Sequence, residues 1–182
     1  MPQSSRSADI VLVLSNEPLP KIATTYEHLP QDTGPEWRFA AIADAESFPA
    51  EAIADTSPEQ IIFHARRHGP KVGADAAYPV VLWVVLTNAV DGKDAEFNDW
   101  YDNRHLDDVV AVPGLISAQR YQITRQTGDT AATWAYLALY EVDPDNAAGI
   151  IAEVRSRAGG PSMPNPGYLA PGTMTVPFRP RA

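Results

Sequence analysis

The sequence predicts an α+β protein whose second half runs β-α-β-β-α-β across an antiparallel sheet. Three features predict it. Two apolar runs of strand length, DIVLVLS at 9–15 and YPVVLWVVLT at 78–87, are rich in β-branched residues, the pattern of buried strands. Between 94 and 110 the period changes to that of a helix, with Phe97, Tyr101, His105 and Asp108 four, four and three residues apart on one stripe. After a turn at Gly128-Asp129, Trp134, Tyr136, Ala138 and Tyr140 alternate on one face with a period of two.

The remaining elements follow in order. Asp94 is a candidate cap for the helix, and Pro113-Gly114 ends the connection behind it. Residues 115–125 and 133–142 read as a hairpin. Pro144-Asp145 opens a second helix at 146–158, Gly159-Gly160 closes it, and after a Pro/Gly loop (161–172) a last strand occupies 173–179. This order is the ferredoxin-like split motif. Its sheet carries helices on one face only, so the other apolar face must pack on a second sheet, and two such units enclose a barrel.

The first half repeats the signals weakly. Each apolar run ends in an Asn, Asn16 or Asn88, and each is followed by a Tyr…His-Leu segment expected to be helical, at 24–30 and at 101–106. A Pro or Pro-Gly turn and another strand come next, at 37–43 and 115–125. The expected organisation is therefore a degenerate first copy over 1–77 and a full unit over 78–182. Residues 59–67 read as strand or short helix, 71–77 as a linker, and 44–55 as a surface loop with a helical turn.

Of 182 residues, 45% are hydrophobic, enough to bury a core, and the net charge is −9. That charge argues against nucleic-acid and anionic-membrane partners. With no cysteine, disulfides, thiolate nucleophiles and zinc–thiolate sites are excluded. The apolar run at 10–14 is too short for a signal segment, so a cytoplasmic location is expected.

The chemistry-bearing residues cluster on the helix at 94–110. A helix packed on a sheet ordinarily buries Leu, Ile and Val, whereas this stripe presents Phe, Tyr and His: either a core with polar tips or a cavity wall. His105 is the natural proton carrier near neutral pH. A carboxylate one turn away, Asp102 or Asp108, would orient it. Tyr101 would donate a hydrogen bond to a substrate oxygen that gains charge, and Phe97 and Trp100 would keep the pocket dry. The competing reading is a solvated helical His with surface aspartates. Arg120 is placed either to bind a carboxylate or on the strand surface. His64 and His68 are four apart, but Arg66 and Arg67 would repel a cation, so no metal is expected; nor is a phosphate loop or dinucleotide fingerprint present. Roles for His28, His64 and His68 stay open.

The string FNDWYDNRHL at 97–106, then VVAVPG at 109–114 and AQRY at 118–121, resembles the EthD-like branch of the dimeric α+β-barrel superfamily over about 78–178. That branch carries W-Y-x-x-x-H-L-P, V-P-G and A-x-R-[FY]; the usual proline after His-Leu is Asp107 here, while the first half keeps His28-Leu29-Pro30. The resemblance implies a homodimer-forming barrel and a cofactor-free pocket between helix and sheet for a small molecule. The first expectation is a cofactor-independent lyase or isomerase (dehydratase or cyclase type) acting on a small apolar carbonyl compound of aromatic, polyketide or terpenoid metabolism. The alternatives are a cofactor-free monooxygenase of a phenol, with Trp83, Trp100 and Trp134 lining its pocket, and a non-enzymatic dimeric binding module.

Overall fold

The computed structural model describes residues 9–19, 24–29, 37–48, 59–128, 130 and 132–181. Among them eight antiparallel strands close a barrel in the order β1-β3-β2-β8-β5-β7-β6-β4. The strands are β1 (Asp9–Ser15), β2 (Thr24–His28), β3 (Phe39–Asp44), β4 (Gln60–Gly73), β5 (Val81–Thr87), β6 (Leu115–Thr127), β7 (Tyr136–Val142) and β8 (Met174–Pro180). A continuous helix follows β5, built as α1 (Asp94–Trp100), a π-helical segment (Tyr101–His105) and α2 (Leu106–Val110); α3 (Ala147–Arg157) follows β7.

Period-two alternation sorts the side chains into two clusters. One draws on every strand: Leu12, Tyr26, Ile42, Phe63, Leu82, Tyr121, Leu139 and Phe178 all belong to it. Residues shared by all eight strands of a closed barrel can meet only inside it. The intervening residues of β5, β6 and β7, including Trp83, Ala118 and Tyr140, face outward and pack against the helices. Each α3 turn contributes to that outer layer through Ala147, Ile150, Ile151 and Val154.

Turn chemistry positions the helix. Gly114 has φ of 92°, and a Cβ there would collide with Cδ1 of Ile150, so this corner needs glycine to let α3 pass. Asp94 does not cap: Lys93 holds the cap position without a side-chain bond, and Asp94 Oδ1 accepts from the Tyr136 hydroxyl at 2.9 Å.

Several sequence expectations need correction. Thr24 to His28 is a strand, not a helix, because Thr24-Thr25-Tyr26 alternates against β3, with Tyr26 opposite Ala40. Residues 60–73 form one 14-residue strand rather than a short element and a linker. Pro70 is tolerated because it falls where the β4–β6 register shifts, between His68 and Val72. Strand β7 begins at Tyr136, so Trp134 lies outside the alternation. The barrel closes within one chain and leaves no sheet edge among the described residues, which removes that edge as a reason for dimerisation. Pro30, residues 49–55 and Asp129 lie outside the described residues. Among the described residues no helix is long and apolar enough to cross a membrane.

Candidate active site

The helix from α1 to α2 lies on the outer face of β5, β7, β6 and β4, and its π-helical segment carries the key groups. The Leu106 N–H reaches back five residues to the Tyr101 carbonyl. This wider turn sets Tyr101 and His105 against each other, with ring centroids 4.7 Å apart. Trp100 lies against both, 4.6 Å from His105 and 5.5 Å from Tyr101, its Nε1 tied to the Pro164 carbonyl at 3.2 Å. Tyr101 meets Tyr140 of β7 through their hydroxyls, 3.0 Å apart, and Trp83 of β5 packs on Tyr140 at 5.2 Å. Phe97 closes the wall, 5.3 Å from Tyr101.

Two polar atoms within this aromatic layer, His105 Nδ1 and Trp83 Nε1, are buried without a hydrogen-bond partner among the described residues. Buried polar atoms are almost always paired, so two orphans around one Tyr–Tyr contact mark this layer as a candidate site; the other two orphans among the described residues, His28 Nε2 and Trp37 Nε1, belong to the barrel interior. Burial pushes His105 down to about 4; Asp108 works against that shift and Arg120 adds to it. The imidazole is therefore neutral at physiological pH. Burial also raises Tyr101 and Tyr140, which remain protonated. In a pair of hydroxyls only one proton is used between them, so one O–H is left to donate.

Arg120 sits beneath this layer, 1% exposed. Its Nη1 binds Asp102 Oδ1 at 2.6 Å and its Nη2 binds Asn98 Oδ1 at 2.8 Å. The guanidinium stacks on Tyr101 at 4.2 Å and contacts Phe97 and Tyr136 at 5.3 and 5.2 Å. The second Asp102 oxygen meets His68 Nε2 at 3.0 Å. Gly69, with φ of 68°, lies beside that carboxylate, and a Cβ there would be in ordinary van der Waals contact with it at 3.4 Å.

The predicted residues thus separate. His105, Tyr101, Phe97, Trp100 and Trp83 share one layer. Asp102 does not orient His105, because both its oxygens are committed to Arg120 and His68. Asp108 does not either: its Oδ2 pairs with Arg104 at 3.3 Å. Arg120 is neither a strand-surface residue nor free for a carboxylate. Trp134 belongs to the barrel interior, 6.2 Å from Phe63, with Nε1 on the Gly172 carbonyl at 3.0 Å. His28 also lies across from an interior residue, Phe178. His64 and His68 are strand residues, and no group of three His, Asp or Glu among the described residues is placed to hold a metal ion.

Tyr140, Tyr136, Asn98 and Pro164 were missed as site residues, and His68, whose role the sequence leaves open, joins them through Asp102. Tyr136 and Tyr140 carried a signal, since both share the outward period of β7 with a helix full of aromatics. His68 carried none without the pairing of β4 to β6, which sets it opposite Arg120.

No protein-family model matches the chain, and no curated protein matches it. Solved structures do. A candidate monooxygenase from Fusobacterium nucleatum subsp. nucleatum aligns over 96% of this chain and 93% of its own, at 9% identity and a TM-score of 0.53. A structure described as a major regulator of staphylococcal pathogenesis aligns over 96% and 99%, at 8% identity and a TM-score of 0.55. An anthrone oxidase-like protein aligns over 96% and 91% at 10% identity, with a TM-score of 0.48 too low to carry weight. These likenesses establish a shared mixed α/β fold around an antiparallel barrel. The lyase or isomerase expectation is corrected here. The Fusobacterium nucleatum structure bears the name of a monooxygenase, not of a lyase or isomerase, and neither Asp102 nor Asp108 is bonded to His105.

Proposed function

We propose that the chain is a cofactor-free monooxygenase of a small phenolic substrate bound between the helix and the outer sheet face. The observation that supports it most is the pair of orphaned nitrogens, His105 Nδ1 and Trp83 Nε1, in an aromatic layer with a spare tyrosine O–H. A neutral imidazole takes a hydrogen bond from the phenol. With its own value at about 4, it holds the proton only while the phenolate oxygen, bound by the indole N–H and tyrosine O–H, lies beside it as counter-charge in a dry site where such donors act strongly. The phenolate is electron-rich enough to reduce oxygen itself. For 1-naphthol, one oxygen atom of O2 stays on the ring carbon para to the hydroxyl. The other leaves as water with the carbon-bound and hydroxyl hydrogens, giving 1,4-naphthoquinone with no external reductant. The name of the Fusobacterium nucleatum structure agrees with this chemistry, and the likeness itself extends to the fold.

On the same reading the chain consists of two ferredoxin-like halves, 1–77 and 78–182, of the EthD-like type. Its support is the strand order, which runs fourth, first, third, second in each half: β4-β1-β3-β2 and β8-β5-β7-β6. A homodimer would have to join through outer surfaces, which sedimentation would measure.

An oxygen electrode tests the function. Addition of 1-naphthol to the protein should consume O2, with label from 18O2 appearing in the quinone, and His105→Gln should slow uptake about 100- to 10,000-fold. Tight binding of phenols without O2 uptake would replace the enzyme by a binding module.

A further inference from the structure

A charged group at the base of an aromatic pocket decides which ligands enter, and here that group is cancelled from behind. Arg120 is fully buried and touches the faces of Phe97, Tyr101 and Tyr136. Left alone, such a guanidinium would draw in an anion, because an unpaired buried charge is costly and a carboxylate would relieve it bidentately. Asp102 reaches it from the helix with a 2.6 Å bond. Two features hold Asp102 there: the π-helical segment that carries it and His68 on its other oxygen. The His68 strand is itself pinned, since Gln119 Nε2 donates to the carbonyls of His68 and Gly69, each at 3.2 Å.

We propose that Asp102 sets the charge selectivity of this pocket: by neutralising Arg120 it reserves the site for uncharged aromatic ligands and excludes carboxylates of the same shape. Asp102 is thus a positioning residue that acts through Arg120 and does not touch the ligand. No other group in the layer carries a positive charge to meet an incoming anion, because His105 is neutral; the indole N–H and tyrosine O–H offer hydrogen bonds only. A carboxylate entering would lose its water and gain no counter-charge. The charge of Arg120 nevertheless reaches the site, since it acts on His105, Tyr101 and Tyr140 alike. The inference rests on the pocket proposed above but not on its oxygen chemistry.

The test compares 6-hydroxy-2-naphthoate with its methyl ester, which differ in charge on one ring system. Binding is followed anaerobically by tryptophan fluorescence at pH 7.5. The wild type should bind the ester at least about tenfold more tightly than the acid. Asp102→Asn, which bares the guanidinium, should narrow that ratio about tenfold or invert it, and the double variant Asp102→Asn/Arg120→Gln should restore it. Should Asp102→Asn not fold, Arg120→Gln alone decides: with Asp102 left uncompensated, the ratio should widen. Equal affinity of the wild type for acid and ester, or ratios unmoved by these variants, would overturn the proposal. Failure of both probes to bind would overturn it together with the pocket. Binding with the expected ratios but without O2 uptake would remove the oxygenation alone.

Discussion

Strands β5 and β7 show two faces of the same backbone with different compositions. Inward they present Leu82, Val84, Leu86, Leu137 and Leu139, all apolar and nearly fully buried. Outward they present Trp83, Tyr136 and Tyr140, which pack with Phe97, Trp100 and Tyr101 of the helix layer, Tyr136 also lying against Arg120 of β6. The inner face needs only shape and apolar area. The outer face, equally buried, carries hydroxyls, an indole N–H, a guanidinium and an imidazole, and it satisfies most of them while leaving His105 Nδ1 and Trp83 Nε1 unpaired. Burial alone therefore does not distinguish the two faces of these strands. On β5 and β7 they differ in whether the buried groups have hydrogen-bonding capacity left over, although elsewhere the barrel interior carries its own unpaired atoms, His28 Nε2 and Trp37 Nε1.

The largest expected effect belongs to the inner face. Phe63 is fully buried inside the barrel, and Phe63→Ala should cost about 3–5 kcal/mol in urea unfolding. The protein that remains folded should still bind 1-naphthol with wild-type affinity. A selective loss of binding would mean that the interior, not the outer layer, takes the ligand.

His105 predicts a pH dependence that the inner face cannot supply. Its folded value of about 4 lies below the 6.5 of an unperturbed imidazole, so the unfolded chain binds more protons between those values. Stability should be fully present above pH 6.5, fall as pH drops through the window, and level off below 4. The total is about 3 kcal/mol. Melting temperatures at pH 7 and 5 should diverge less for His105→Gln than for the wild type. An unchanged slope would show that the imidazole is not desolvated.

Trp83→Phe sharpens the contrast from the site side. It retains a ring against Tyr140 but removes the unpaired N–H, so 1-naphthol affinity should fall about 3- to 10-fold while stability changes by about 1 kcal/mol. Smallest of all, Arg104→Ala breaks an exposed pair with Asp108 and should shift stability by about 0.5 kcal/mol or less, with no effect on binding. A large loss there would give Asp108 the role that its geometry denies it.

Much of the second half was legible in the sequence because its signals are local. The run at 81–87, the Phe97–Tyr101–His105 stripe and the Pro113-Gly114 corner depend on neighbours a few residues away. The first half was harder, since Tyr26 and His28 fit either period until paired with β3. Within the site, residue types were readable but their partners were not. Asp102 stands three residues before His105, yet its ion pairs run to β6 and β4, 18 and 34 residues away. Those pairings require the strand register, which no local pattern encodes. Trp134 was misread because the period of β7 was extended two residues beyond the strand.

The central claim is that the outer layer, not the barrel interior, holds the ligand, and a crystal structure with 1-naphthol bound tests it most directly. The account predicts density between Trp83, Trp100, Tyr140 and His105, with the naphthol oxygen within hydrogen-bond distance of His105 Nδ1 or Trp83 Nε1. Density instead inside the barrel, beside His28, Trp37 and Trp134, where the buried His28 Nε2 and Trp37 Nε1 also lack partners among the described residues, would contradict it.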